Sequence, residues 1–365
     1  MSLGGFMSKA LFLLKLREDY NDDPSYSSAS YSSDGEYSSS YHIATGMYNS
    51  AKFVVDVLNS NDRQAGIGII VDGNSIDSAC MAYNPNFVII EGLWVTPLKL
   101  AELMSLKRHA GRTWVVRIHS EIPFLSSEGV AMKWLGEYMK LGVIVAPNGV
   151  RATEQIAYEG LRSVPSTTET IYLPNCYPTD EFMSSTEQSV TMAVNIGCFG
   201  AFRPLKNQLQ QAFAALKFAE WLDRPLRFHI NGRVDAGGQG ALNNVIGLFS
   251  QLDSTTAEIV NHEWESREEF IATLRKMDML MQVSMSETFN IVAADAVLAG
   301  IPVIATDELP WYHPTNVDPQ SVTSIVEMMK SIWLNRSFFI TKNRIGLQRY
   351  NTNAIQKWLD FIPRN

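Results

Sequence analysis

The residues best suited to chemistry lie between Ser286 and Thr306, SETFNIVAADAVLAGIPVIAT, where a glutamate opens a short apolar stretch and an aspartate interrupts it. The spacing predicts a helix from about Asn290 to Ala299, with Gly300 as its stop and Pro302 leading the next strand. Glu287 then lies in the loop before the first turn, and Asp295 follows it by roughly two helical turns. An aspartate among Ala, Val and Ile has poor helix propensity and costs free energy if buried alone, so it needs a partner. A ribose offers two adjacent hydroxyls to one carboxylate, and a hexose offers more to the other. On this reading the two acids span one nucleotide sugar. The alternative is a solvated glutamate and an aspartate held by a neighbouring Arg or Ser.

A second group lies upstream in GAFRPLKN, where a strand runs into a helix whose start reads as Asn207 with Gln210 three residues on, the pattern of a capping box. Arg203 and Lys206 fall just ahead of that helix. Free N–H groups, the positive end of the helix dipole, a guanidinium and an ammonium together suit a diphosphate. Gly197 and Gly200 would let such a ligand approach the main chain. Taken alone, Arg and Lys in a turn are also ordinary solvated residues.

In the first half, the carboxyl ends of expected strands carry Asp72, Glu91, Arg117, His119 and Glu121, and on WVVRIHSE the last three share one side. His229, inside LRFHING, reads as structural. There is no HExxH, no Cys/His cluster, no nucleophile elbow and no Walker loop, so no metal and no cofactor are expected. Cys80, Cys176 and Cys198 are far apart and odd in number, which suits a reducing cytoplasm better than a disulfide framework.

The elements that must position these groups follow from periodicity. Short Val/Ile-rich runs such as ALFLLKL, GIGIIVD, FVIIEGL, WVVRIHS and GVIVAP alternate with amphipathic stretches, which is how a parallel sheet covered on both faces reads. A polar piece, TDEFMSSTEQS, separates this series from a second one running from MAVNIGCFGAF to PVIAT, with a helix expected around Asn243–Leu252. Beyond Pro319 only helical signals remain. The expected organisation is α/β: a doubly wound domain over 1–183, a second over 190–340, and a helical tail over 341–365 packing back on the first. Facing sheets of this kind bind ligands in the cleft outside their strands' carboxyl ends.

Residues 25–41, SYSSASYSSDGEYSSSY, read as a loop: either mobile, or a lid whose phenols and hydroxyls meet a sugar. With 365 residues, 46% hydrophobic and 19% charged, the chain is long enough for two cores, and its net charge of −8 without basic runs argues against nucleic acid. The apolar run Ala10–Leu14 is too short to cross a bilayer, so no transmembrane segment is expected. The expected location is the cytoplasm, including the inner face of a membrane as a peripheral site.

SETFNIVAADAVLAGIPVIAT resembles the signature of retaining glycosyltransferases of the GT-B fold, in which a Glu, seven residues and a second Glu precede a small-residue helix. GAFRPLKN resembles the phosphate-gripping Arg and Lys of the same family. The resemblance is firm over roughly 195–306 and looser in the first half. It implies two Rossmann-like domains and transfer of a sugar, with retention, from a UDP- or GDP-linked donor to a glycan, lipid or small-molecule acceptor. It also implies that Glu287 faces the donor sugar, Asp295 the ribose, and Arg203 and Lys206 the diphosphate. Gly200, Thr288, Phe289 and Asn290 then make further donor contacts, and His119 matches an acceptor-side histidine near the transferred sugar. This chain departs from the pattern in having Asp for the second Glu and a Ser/Tyr segment where paired glycines are common. A sugar-nucleotide epimerase on the same fold and a non-catalytic nucleotide-sugar binder remain as alternatives.

Overall fold

Strands that carry apolar side chains on both faces must be covered on both faces, and short Val, Ile and Leu runs between amphipathic helices meet that need as parallel strands. The computed structural model, which describes residues 8–18, 41–42, 45–160, 170–184, 192–234 and 237–364, contains two such sheets. The Ser/Tyr-rich segment lies outside the described residues except for Tyr41.

The first sheet starts with β1 (Lys9–Lys15), buried from Ala10 to Leu14. A two-residue antiparallel pair follows in the chain, β2 (Arg17–Glu18) with β3 (Tyr41–His42). Then come β4 (Gln64–Ile70), β5 (Phe87–Glu91), β6 (Thr113–Ile118) and β7 (Ile144–Pro147), and the sheet runs β4-β1-β5-β6-β7 with every pair parallel. Its helices are α1 (Thr45–Asn59), α2 (Ser75–Tyr83), α3 (Pro97–Ser105), α5 (Ala131–Lys140) and α6 (Val150–Glu154), while the short α4 (Ile122–Leu125), which follows β6 in the chain, groups with the second sheet's unit.

The second sheet holds β8 (Val194–Gly197), β9 (Leu226–Ile230), β10 (Ala257–Asn261), β11 (Met279–Gln282) and β12 (Val303–Ala305), in the order β10-β9-β8-β11-β12, again all parallel. The helices here are α7 (Gln208–Leu222), α8 (Gln239–Phe249), α9 (Arg267–Leu274), α10 (Ile291–Ala299), α11 (Val322–Leu334) and α12 (Arg336–Phe361). Helix α8 begins earlier than its apolar spacing suggested. Gly237, at φ +77, turns the chain just ahead of it, and Leu242, Val245 and Phe249 form its buried face.

The chain divides into two compact units, one of residues 1–119, 129–176 and 355–365, the other of residues 120–128 and 177–354. Helix α12 therefore contributes to both. In the first unit its last turns lie on β1: Trp358 is fully buried, 5.5 Å from Phe12 between ring centroids, and donates its indole N–H to the Pro174 carbonyl at 2.7 Å. Arg63 donates to the carbonyls of Leu359 and Ile362 and ties the chain end down. The second unit has its own core, in which Phe218, Phe228, Met281, Ile304 and Met329 are fully buried.

Candidate functional site

In an open parallel sheet the strand order reverses at one point, and the crevice outside the strand ends there is the natural ligand site. In the second unit that point lies between β8 and β11. The loop leaving β8 carries Gly200, Arg203 and Lys206, and the loop leaving β11 carries Glu287, Thr288, Phe289 and Asn290. Two stretches distant in sequence, with Lys206 lying 81 positions before Glu287, thus meet because β8 and β11 are hydrogen-bonded neighbours.

Their meeting point is an ion pair. Lys206 Nζ donates to Glu287 Oε1 at 2.5 Å, and Asn290 Nδ2 donates to the same oxygen at 2.8 Å. Glu287 is 7% exposed and Lys206 about a quarter exposed, so the pair is largely out of water, where charge–charge attraction is stronger. Arg203 begins a 3₁₀ turn over Pro204–Lys206, and both cations lie about 6 Å from the ring centre of Phe124.

Helix α10 starts one residue later than expected, at Ile291. Asn290, in the left-handed region at φ 59, caps it by accepting the Ala293 N–H at 3.0 Å, and Gly300 at φ 79 ends it. The Ile291 and Val292 N–H groups have no acceptor within the helix, by the geometry of any helix start. A cavity of about 90 Å³ is lined by Ile291 and Val292 together with Gly200, Lys206, Gln282 and Asn290. Gly200, at φ +107, adopts a backbone that a side chain would strain. Gly197 has a different reason to be glycine, because a Cβ there would come within 2.6 Å of the Phe199 ring.

Buried amides fix the two loops to one another. Gln282 Nε2 donates to Phe199 O at 2.9 Å, while its Oε1 accepts from Asn290 at 2.8 Å. Gln211 Nε2 donates to Lys206 O at 2.8 Å, and its Oε1 accepts the Val283 N–H at 3.0 Å. The expected capping box at α7 is not formed. Asn207 sits in the left-handed region at φ 60, and its amide donates to Val283 O and Pro319 O instead of capping the helix. Here the sequence pattern lost to tertiary demand, since an amide joining two loops satisfies main-chain carbonyls on both.

Asp295 lies in the second turn of α10 and is 3% exposed. Its Oδ1 accepts from the Tyr177 hydroxyl at 2.6 Å and from Arg267 Nε at 3.2 Å. Burial pushes this carboxyl up to about 6, against the pull of Arg267 and Tyr177. Neither partner was apparent from the sequence. Tyr177 sits in an irregular segment, and Arg267 opens α9 with nothing in its spacing to mark it. Phe289 turns its ring inward against Tyr177, Trp311 and Tyr350, and Thr288 is also buried.

His119 belongs to the other unit. It follows β6, where Glu91 at the end of β5 accepts from His119 Nε2 and lies 3.2 Å from Arg117. Asn148 Nδ2 lies 3.3 Å from His119 Nδ1, on the other side of the ring from Glu91. Burial alone would raise the Glu91 carboxyl, but Arg117 and His119 outweigh it and hold the group below the usual carboxylate range. Arg117, fully buried, also donates to the carbonyls of Leu173 and Pro174 and to Asn175. His229 is bonded to Asn195 and to His262, and burial lowers it to about 4, so it is neutral near pH 7.

No protein-family model matches the sequence, and no curated protein matches it either. Solved structures do match in fold along nearly the whole chain. A glycosyltransferase from Rickettsia africae superposes with a TM-score of 0.65 at 12% identity, covering 98% of each chain. Sucrose-phosphate synthase from Thermosynechococcus elongatus gives 0.63 at 12%, over 98% of this chain and 97% of that one. The N-terminal domain of trehalose-6-phosphate phosphatase from Candida albicans gives 0.66 at 11%, over 99% and 98%. The fold is GT-B, two Rossmann-like units followed by a C-terminal helix. No described helix is long and apolar enough to cross a membrane.

Proposed function

We propose that this chain is a retaining glycosyltransferase, moving a sugar from a UDP- or GDP-linked donor to a hydroxyl of a glycan, lipid or small-molecule acceptor. Fold alone does not carry an activity. The observation that supports the reading is the Lys206–Glu287 pair at the strand-order reversal of the second unit, set at the start of α10.

In this scheme the diphosphate occupies the cavity at the head of α10. Lys206 and Glu287 neutralise one another, and a diphosphate gives Lys206 a second and more highly charged partner. As the bond from the anomeric carbon to the diphosphate breaks, its electron pair stays on the phosphate oxygen. Lys206, Arg203 and the first N–H groups of α10 stabilise that charge from fixed positions. The acceptor hydroxyl adds on the same face and passes its proton to the departing phosphate. Glu287 orients the sugar and offsets the positive charge at its anomeric carbon. Gly200 leaves room for the phosphates, Thr288 to Asn290 shape the sugar's side, and His119 serves the acceptor. No metal and no cofactor enter the scheme.

One other reading has an observation behind it. A nucleotide-sugar binder without turnover is motivated by Asp295, which stands where the resembled signature has a second glutamate. Incubating UDP-glucose or GDP-mannose with and without an acceptor extract separates them. Acceptor-dependent release of nucleoside diphosphate supports the transferase. Isomerised donor without acceptor indicates an epimerase, and binding without turnover indicates the non-catalytic protein.

A further inference from the structure

The second acid of the pair is held by the protein itself. Oδ1 of Asp295 accepts two hydrogen bonds, from Tyr177 Oη and Arg267 Nε, which is the capacity of one oxygen's lone pairs. Arg267 Nη2 donates to Tyr177 Oη at 3.1 Å and closes a triangle. A ribose diol gripped by one carboxylate needs acceptor sites on both oxygens, at a group a ligand can reach. Asp295 is 3% exposed and one methylene shorter than glutamate, so both needs are poorly met.

The triangle leads back to the site by another route. The Tyr177 ring lies 6.0 Å from that of Phe289, two residues after Glu287. Phe289 in turn packs 6.1 Å from Trp311, whose indole N–H donates to the Phe289 carbonyl at 2.7 Å. Clamping the Tyr177 hydroxyl therefore sets where the Phe289 ring rests, and with it the loop that carries Glu287.

We infer that Asp295, Tyr177 and Arg267 form a clasp that positions the Glu287 loop, and that Asp295 does not read the donor's ribose hydroxyls. The inference rests on the donor site proposed above. Tyr177 and Arg267 are positioning residues in this arrangement.

The test has two parts on the full chain. Calorimetry gives dissociation constants for UDP, GDP and their 2′-deoxy forms, with the wild type and with Asp295→Asn. A hydrogen bond to a charged group is worth about tenfold or more in affinity, so the ratio of deoxy to ribo constants reports whether Asp295 makes one. The ratio is expected to be the same in both proteins. A fall of more than about threefold in the variant, less than half of such a bond, overturns the inference while leaving the donor site standing. If none of the four nucleotides binds, the donor site itself fails, and with it the statement about ribose. The clasp is then judged by the second part. In nitrogen–proton correlation spectra, Tyr177→Phe should shift the Trp311 indole resonance, identified by its loss in Trp311→Phe. An unmoved resonance overturns the clasp whatever the nucleotides do.

Discussion

At the scale of single residues, two acids eight positions apart face opposite demands. Glu287 is paired to a cation on the neighbouring loop, and its proposed work is done in the transition state. Glu287→Gln keeps the size and loses the charge. Turnover of a nucleotide sugar should fall on the order of 10²–10³-fold with donor affinity little changed, as for loss of one preorganised electrostatic contact. Single-turnover rates alongside donor titration check this, and equal activity would remove the role. Asp295 carries a cost instead. Its folded carboxyl titrates near 6 against an ordinary value of 3.8, so between those values the folded chain binds a proton that the unfolded chain has released. Stability from this group is therefore present in acid, is lost as pH rises from about 4 to about 6, and is flat above, a change on the order of 3 kcal/mol. Subtracting urea-unfolding free energies of Asp295→Asn from those of the wild type across that range isolates the slope. Parallel curves would mean that the carboxyl titrates normally. Glu91 acts with the opposite sign, since its depressed carboxyl adds stability above the usual carboxylate range and loses it in acid; the subtraction cancels it.

At the scale of elements, the site depends on loops held by other elements. Helix α12 approaches the loop after β12 so closely that a Cβ on Gly346 would fall 2.1 Å from the Trp311 carbonyl oxygen. That carbonyl is backbone and cannot swing aside. Gly346→Ala should destabilise the chain by about 1–3 kcal/mol through overpacking, despite alanine's better helix propensity. Thermal unfolding checks the sign: a gain in stability would show that α12 and the loop separate freely. Gln211 and Gln282 were invisible as functional candidates, and Asn207 read only as a helix cap, because a sequence does not show which distant main-chain groups an amide will meet. Their importance comes from which main-chain groups they find once β8 and β11 lie side by side.

At the scale of the whole molecule, each unit closes its own core, and the first unit is finished by the last turns of the chain. Trp358→Ala should cost about 3–5 kcal/mol by the usual price of an emptied aromatic site. Because two units need not unfold together, the loss should appear as an earlier transition in that unit, seen by calorimetry as a split or broadened endotherm. A single transition shifted as a whole would show that the units unfold as one.

What the sequence determined by itself is what local periodicity encodes. Runs such as ALFLLKL and MLMQVS have few ways to bury both faces, so the parallel strands, their alternation with helices, and the stop of α10 at Gly300 were legible from residue order. The acid at 287 and the cations at 203 and 206 stood out as candidates, because charge beside a helix start is a local statement. Only the tertiary structure decided which groups these residues touch. Lys206 meets Glu287 through sheet order, Asn207 abandons its cap for two distant carbonyls, and Asp295 finds Tyr177 and Arg267 where spacing alone left open a ribose or a neighbouring Arg or Ser. A buried polar group takes whichever partner the packed fold brings within reach, and that partner's distance along the chain leaves no periodic trace.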